Sequence, residues 1–205
     1  MHLDWQTALL NVLLLWVLTA PHEFAHAWTA EKLGDDTPRR EGRVTLNPLA
    51  HVDWLGTAIL PFITSLMGAG FLGWGRPVRT DPGKLRGRLN GLALVSLAGP
   101  ASNILMAIVL GAMAVGLVRS APALARFAAQ GVRLSLYLAL FNLLPVPPLD
   151  GSKLLLAARI PIQVYAELSR VGFMLLIVAM TATSLGRWLN EWSYLGANAI
   201  FGALR

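Results

Sequence analysis

"LLNVLLLWVLTAPHEFAHAWTA", residues 9–30, runs from an apolar stretch directly into two histidines and a glutamate. About 20 apolar residues in a helix cross the roughly 30 Å of bilayer hydrocarbon. Ionisable side chains in such a helix are costly unless they face a protein interior or a metal, so they mark a working site. The stretch therefore predicts a membrane helix that carries a polar site in its last third.

The rest of the chain agrees with a membrane setting. Of its 205 residues, 55% are hydrophobic and only 14% charged, whereas soluble domains carry about 25% charged residues. The fold class is all-α, a polytopic membrane protein. A net charge of +6 would suit nucleic acid, but the basic residues sit in short loops beside apolar runs. There they orient the chain and meet lipid headgroups, and no basic stripe interleaved with aromatics speaks for nucleic acid. Cysteine is absent, which excludes disulfides and thiolate metal sites. The N-terminal "MHLDWQTALL" has no basic region ahead of its apolar run, so it reads as a retained helix and not a cleaved signal.

Within a single intramembrane domain over 1–205, the expected segments are 5–31, 89–118, an interrupted 131–158, and 163–186, followed by an interfacial helix over 188–204. The segment 54–75 is uncharged but broken by Pro61, Gly68 and Gly70. Lys32, Arg39, Arg40 and Arg43 precede it, and Arg76, Arg79, Lys84, Arg86 and Arg88 follow it. A single crossing would put these basic loops on opposite sides of the membrane. The positive-inside rule prefers both on the cytoplasmic side, so a re-entrant dip is expected. "GRVTLN" (42–47) and "RPVRT" (76–80) read as short extended stretches flanking that dip.

The chemistry begins with HExxH. His22 and His26 are one helical turn apart, so both imidazoles can leave one face and bind a single Zn²⁺. Glu23 follows the first histidine, which sets its carboxylate beside the metal, where it can take a proton from water. A zinc hydrolase needs a third protein ligand. With no cysteine, the serious candidate is Asp150 in "NLLPVPPLDGSK" (142–153), where prolines interrupt an apolar span. Non-helical backbone at membrane depth is tolerated where it lines a cavity; the plainer reading makes Asp150 an N-cap for the helix that follows. His51, beside Asp53 in a loop, reads as a local capping group. Asn103, in the 89–118 span, could bond a neighbouring helix across a close glycine face or serve the site.

HExxH in the first helix, "AGPASN" at 98–103 and "NLLPVPPLDG" at 142–151, in that order, resemble the three signatures of the site-2 protease family of intramembrane zinc metalloproteases. The connecting stretches "LNPLAHVDWLGT" (46–57) and "GWGRPV" (73–78) resemble those of its short bacterial members. The resemblance implies a core of three membrane helices with a discontinuous helix at the LDG motif and short β-strands near the active site. It implies one Zn²⁺ per chain on His22, His26 and Asp150, with Glu23 as catalytic base and Asn142 holding substrate or the oxyanion. Asn103 and Gly99 form a second tier, and Val44, Thr45 and Leu46 are the expected substrate-pairing strand. The implied substrate is a single-span membrane protein cut near the cytoplasmic face of the bacterial membrane. Neither a PDZ insertion nor a cystathionine-synthase-like regulatory domain is expected. Two other classes fit part of the pattern: a metal or proton transporter, and a catalytically silent relative that binds membrane partners.

Overall fold

The computed structural model describes residues 5–66 and 73–204; residues 67–72, in the middle of the expected dip, lie outside the described residues. Eight α-helices form in that range: α1 (Trp5–Lys32), α2 (Thr37–Arg40), α3 (Leu60–Leu66), α4 (Leu89–Leu117), α5 (Pro122–Asn142), α6 (Ser152–Ala157), α7 (Ile162–Ala182) and α8 (Leu185–Ala203). A π-helical turn, Trp54–Ile59, leads into α3. Of these, α1, α4 and α7 are long and apolar enough to cross a membrane. The chain is an all-α, integral membrane protein.

α1, α4 and α5 form the centre. Leu14, Leu15 and Leu18 of α1 pack on Ala107, Leu110 and Ala114 of α4 and on Ala128, Val132 and Leu138 of α5. Alanines of α4 and α5 are set among the leucines and let the helices approach, because membrane helices associate by close packing, lipid being as apolar as the helices themselves. Outward, α4 presents Leu94, Leu105 and Ile108, and α7 presents Met174, Leu175 and Val178, all exposed as lipid-facing side chains would be. Polar glue ties the end of the bundle remote from the histidines. Asn11 donates to Ser65 Oγ at 2.9 Å, and Gln130 donates to Asn11 Oδ1 at 2.6 Å, joining α1, α3 and α5.

At the other end, two loops clasp. Asp36 accepts from Lys84 Nζ at 2.9 Å and also pairs with Arg40. Asp35, fully buried, takes the Asp81 N–H at 2.7 Å, and Arg86 N donates to Leu33 O at 2.8 Å. The two ends of the 54–75 segment also meet: Arg76 N donates to His51 O at 2.8 Å and Trp74 N to Gly56 O at 2.9 Å.

Several expectations need adjustment. α5 starts at Pro122 and not near 131, because residues 122–130 bury Ala125 and Ala128 and bond Gln130 to Asn11 of α1, with Arg126 exposed on the other face. The LDG segment is discontinuous as expected, breaking between Asn142 and Ser152. No β-strand forms among the described residues. "GRVTLN" folds on itself instead, with Thr45 N bonded to Arg43 O at 2.9 Å and Thr45 O held by His51 Nε2 at 2.9 Å. Those local bonds consume the groups a strand would offer a neighbour. The helix expected over 188–204 forms as α8, which ends at Ala203 and buries Leu189, Ser193 and Ala197 at four-residue intervals.

Candidate metal centre and active site

α1 places His22 and His26 on one face, toward α4 and the LDG turn. His26 Nδ1 lies 2.7 Å from Val95 O. A carbonyl can only accept, so Nδ1 carries the proton and, in the neutral ring, Nε2 presents a lone pair. That nitrogen is 3.1 Å from His22 Nε2 and 3.0 Å from Asp150 Oδ2, and His22 Nε2 is 3.2 Å from the same oxygen. All three residues are buried. Ligand atoms on a tetrahedral zinc, bonded at about 2.0–2.1 Å, stand about 3.3 Å apart. The donor triangle fits such an ion, and electron-rich atoms this close in a buried site call for a cation between them.

Asp150 reaches the histidines because the chain leaves the helix at Asn142. Gly151 N returns to Asn142 O at 2.7 Å, and Lys153 Nζ holds Asp150 Oδ1 at 3.0 Å, leaving Oδ2 to face the imidazoles. The turn is pressed against α7 at Gly172, where an added Cβ would stand 2.1 Å from Pro147 O. On the α4 side, Gly99 does the same for the histidines: a Cβ there would lie 2.3 Å from His26 Nε2 and 2.6 Å from His22 Cε1. The glycine of "AGPASN" is thus the gap into which the imidazoles fit.

Glu23 is buried and stands outside the donor triangle. Its Oε2 accepts from Val78 N at 3.2 Å, so the carboxylate is oriented from across the site by a backbone group. It lines a cavity of about 390 Å³ together with the triad, Thr19, Asn103 and Asn142. Asn103 is fully buried in α4; its carbonyl takes the Ser135 hydroxyl at 2.7 Å while its side-chain Oδ1 has no partner among the described residues. Asn142 donates from Nδ2 to Leu138 O at 3.0 Å, which leaves its second N–H for another acceptor.

Val44, Thr45 and Leu46 are not in this wall. The loop residues that do line it include Val78 and Thr80, following Gly73, Trp74 and Gly75, and Trp74 meets Phe173 of α7 edge-on at 5.8 Å at the cavity wall. Among the described residues, the backbone N–H groups of Arg79 and Thr80 have no partner. The sequence marks 76–80 as an extended stretch, while the family resemblance implies 44–46 as the substrate-pairing strand. The contact of Val78 with Glu23 has no side-chain signature in the sequence, since it is made by the backbone. His51 is buried, bonded to Thr45 O, and outside the donor triangle.

Two curated proteins are similar to the chain over most of its length. The chain is 36% identical over 198 residues to "Putative zinc metalloprotease YwhC" of Bacillus subtilis, covering 91% of this chain and 85% of that one. It is 35% identical over 182 residues to "Putative zinc metalloprotease Rip2" of Mycolicibacterium smegmatis, covering 84% and 67%. No family model and no solved structure matches it. Identity of this extent over most of both partners, in a membrane chain whose HExxH histidines meet an LDG aspartate, shows that the protein belongs to the site-2-protease-like family of zinc metalloproteases.

Proposed function

We propose that the protein is an intramembrane zinc endopeptidase that hydrolyses peptide bonds of membrane-spanning substrates near the cytoplasmic face. The observation that carries this reading is the convergence of His22, His26 and Asp150 to mutual distances of 3.0–3.2 Å in a cavity that Glu23 also lines. His22, His26 and Asp150 hold one zinc, which when bound supplies Lewis acidity to a water and to the scissile carbonyl. Glu23 takes the water proton on a carboxylate oxygen and hands it to the leaving nitrogen. Val95 fixes the His26 tautomer, and the free N–H of Asn142 is offered to the carbonyl oxygen as it gains charge.

A membrane helix conceals its peptide bonds in its own hydrogen bonds, so cleavage requires that a segment first be drawn out. The unpaired backbone of 79–80, in an extended wall of the cavity, supports substrate pairing along 76–80 by strand addition. The meeting of His51 with Arg76, and Asp36 shared by Arg40 and Lys84, support a re-entrant 54–75 with both basic loops on the cytoplasmic side.

The test pairs metal content with cleavage. Purified protein should carry one zinc, and should cut single-span model peptides in a chelator-sensitive way. Glu23→Gln should keep the zinc and lose about 10²–10⁴ in rate. Undiminished proteolysis by Glu23→Gln would refute the mechanism; zinc without cleavage of any probe would favour a transporter or silent relative.

A further inference from the structure

Behind the wall formed by residues 76–80 lies a second cavity, of about 560 Å³, and it is basic. Arg43, Arg76 and Arg79 line it with Glu41, Pro77 and the Leu49–Ala50 turn. Arg43 is 4% exposed, and the hydrogen bond found for its guanidinium goes to Ala50 O. A guanidinium has five N–H donors and does not lose its charge. Arg76 has no side-chain partner among the described residues, and Arg79 stands 3.7 Å from Glu41. One carboxylate therefore faces three guanidiniums. Burial first, and Arg76 next, pull the Arg43 guanidinium below its ordinary value, with Glu23 and Glu41 acting the other way. A charge that is desolvated and crowded by like charge is one that an incoming anion relieves.

The two cavities divide the extended segment between them. Val78 and Thr80 line the one that holds the histidines; Arg76 and Arg79 line the basic one; Pro77 touches both. The division does not follow strict alternation, since Arg76 and Arg79, three residues apart, fall on the same side. A polypeptide laid along 76–80 would nonetheless pass beside the guanidiniums, within reach of its own side chains.

We propose that the Arg43–Arg76–Arg79 cavity is a specificity subsite that receives an acidic side chain of the substrate, close to the scissile bond. The inference rests on the protease reading for its occupant and on the geometry above for its chemistry. Arginine holds a carboxylate through paired N–H donors, which also fixes the register of the strand that bears it. The same donors would suit a lipid phosphate, and Arg76 and Arg79 are exposed, but Arg43 is buried at the back of the cavity, which shares Pro77 with the reaction site, so the position favours polypeptide.

The experiment uses a poly-leucine single-span peptide with one glutamate moved through successive flanking positions, and a glutamine version of each. Wild-type protein should bind and cleave the glutamate form about three- to tenfold better than the glutamine form at one or more flanking positions, and Arg76→Gln should bring that glutamate-to-glutamine ratio to about one, whatever its overall rate. Arg76→Glu should shift the preference to lysine at the same positions. Anisotropy of the labelled peptides in detergent reads binding without turnover, so it tests the subsite even where no peptide is cut; absence of cutting would count against the protease reading alone. Equal binding of glutamate and glutamine forms, or a preference unmoved in Arg76→Gln, would overturn the proposal. So would loss of retained phosphatidylglycerol in Arg76→Gln, by native mass spectrometry, with peptide preference intact; that result would assign the cavity to lipid.

Discussion

Replacing Gly99 by alanine is the sharpest test of how the donor set is held. The new Cβ would stand 2.3 Å from His26 Nε2, about 1 Å short of the 3.4 Å at which ordinary contact begins. Neither partner is a flexible tip. The imidazole is pinned by Nδ1 to Val95 O, and α4 is a continuous helix on both sides of the substitution. The ring must therefore move by most of that ångström, whereas metal–ligand distances tolerate about 0.2 Å. Disturbing a ligand's support commonly costs 10–100-fold in metal affinity, and a 1 Å misplacement about 10²-fold in rate. We expect zinc affinity, measured by competition with a chromophoric chelator, to fall about 10–100-fold. Cleavage should fall with it while the helical circular dichroism is kept, since alanine favours a helix over glycine. Gly116→Ala is the control, because no atom lies within 4 Å of its added Cβ. Wild-type affinity and cleavage in Gly99→Ala would show that the histidines do not use this gap.

Two further outcomes can be checked with the same material. Asp150→Asn should lose both metal and activity, because a neutral amide is a poor zinc ligand; zinc analysis that finds it fully loaded would remove Asp150 from the donor set. Cysteines placed at Arg40 and Lys84 should both be labelled by an impermeant maleimide from the cytoplasmic side of inverted vesicles, given that both positions share Asp36; labelling from opposite sides would mean that 54–75 crosses the membrane completely.

The donor set was legible because it depends on spacing. Residues i and i+4 of a helix share a face whatever surrounds them, so His22 and His26 follow from HExxH, and the prolines before Asp150 announce a broken helix. What escaped were features set by partners distant in sequence. "GRVTLN" and "RPVRT" look alike as extended stretches, yet only the second reaches the cavity. The first is captured by His51 and Arg43, whose bonds to Thr45 O and Ala50 O lock it into a turn. The orienting of Glu23 by Val78 N passes through a group that every residue but proline possesses. Likewise the start of α5 was hidden by Arg126, because a search for uncharged runs discards a helix that is half polar.

The division of Asp150, one oxygen to Lys153 and the other to the histidines, bears on how the protein matures. Each donor has an anchor of its own: Lys153 for Asp150, Val95 for His26, and the seat of Pro147 against Gly172 for the whole LDG turn. In small zinc fingers the ion organises the chain and its removal unfolds it. Here the cradle is built from helix packing and local bonds, so insertion of the chain into the bilayer would come first and delivery of the ion second. A cell short of zinc would then accumulate a folded, inactive pool of this protein that a later supply switches on without new synthesis.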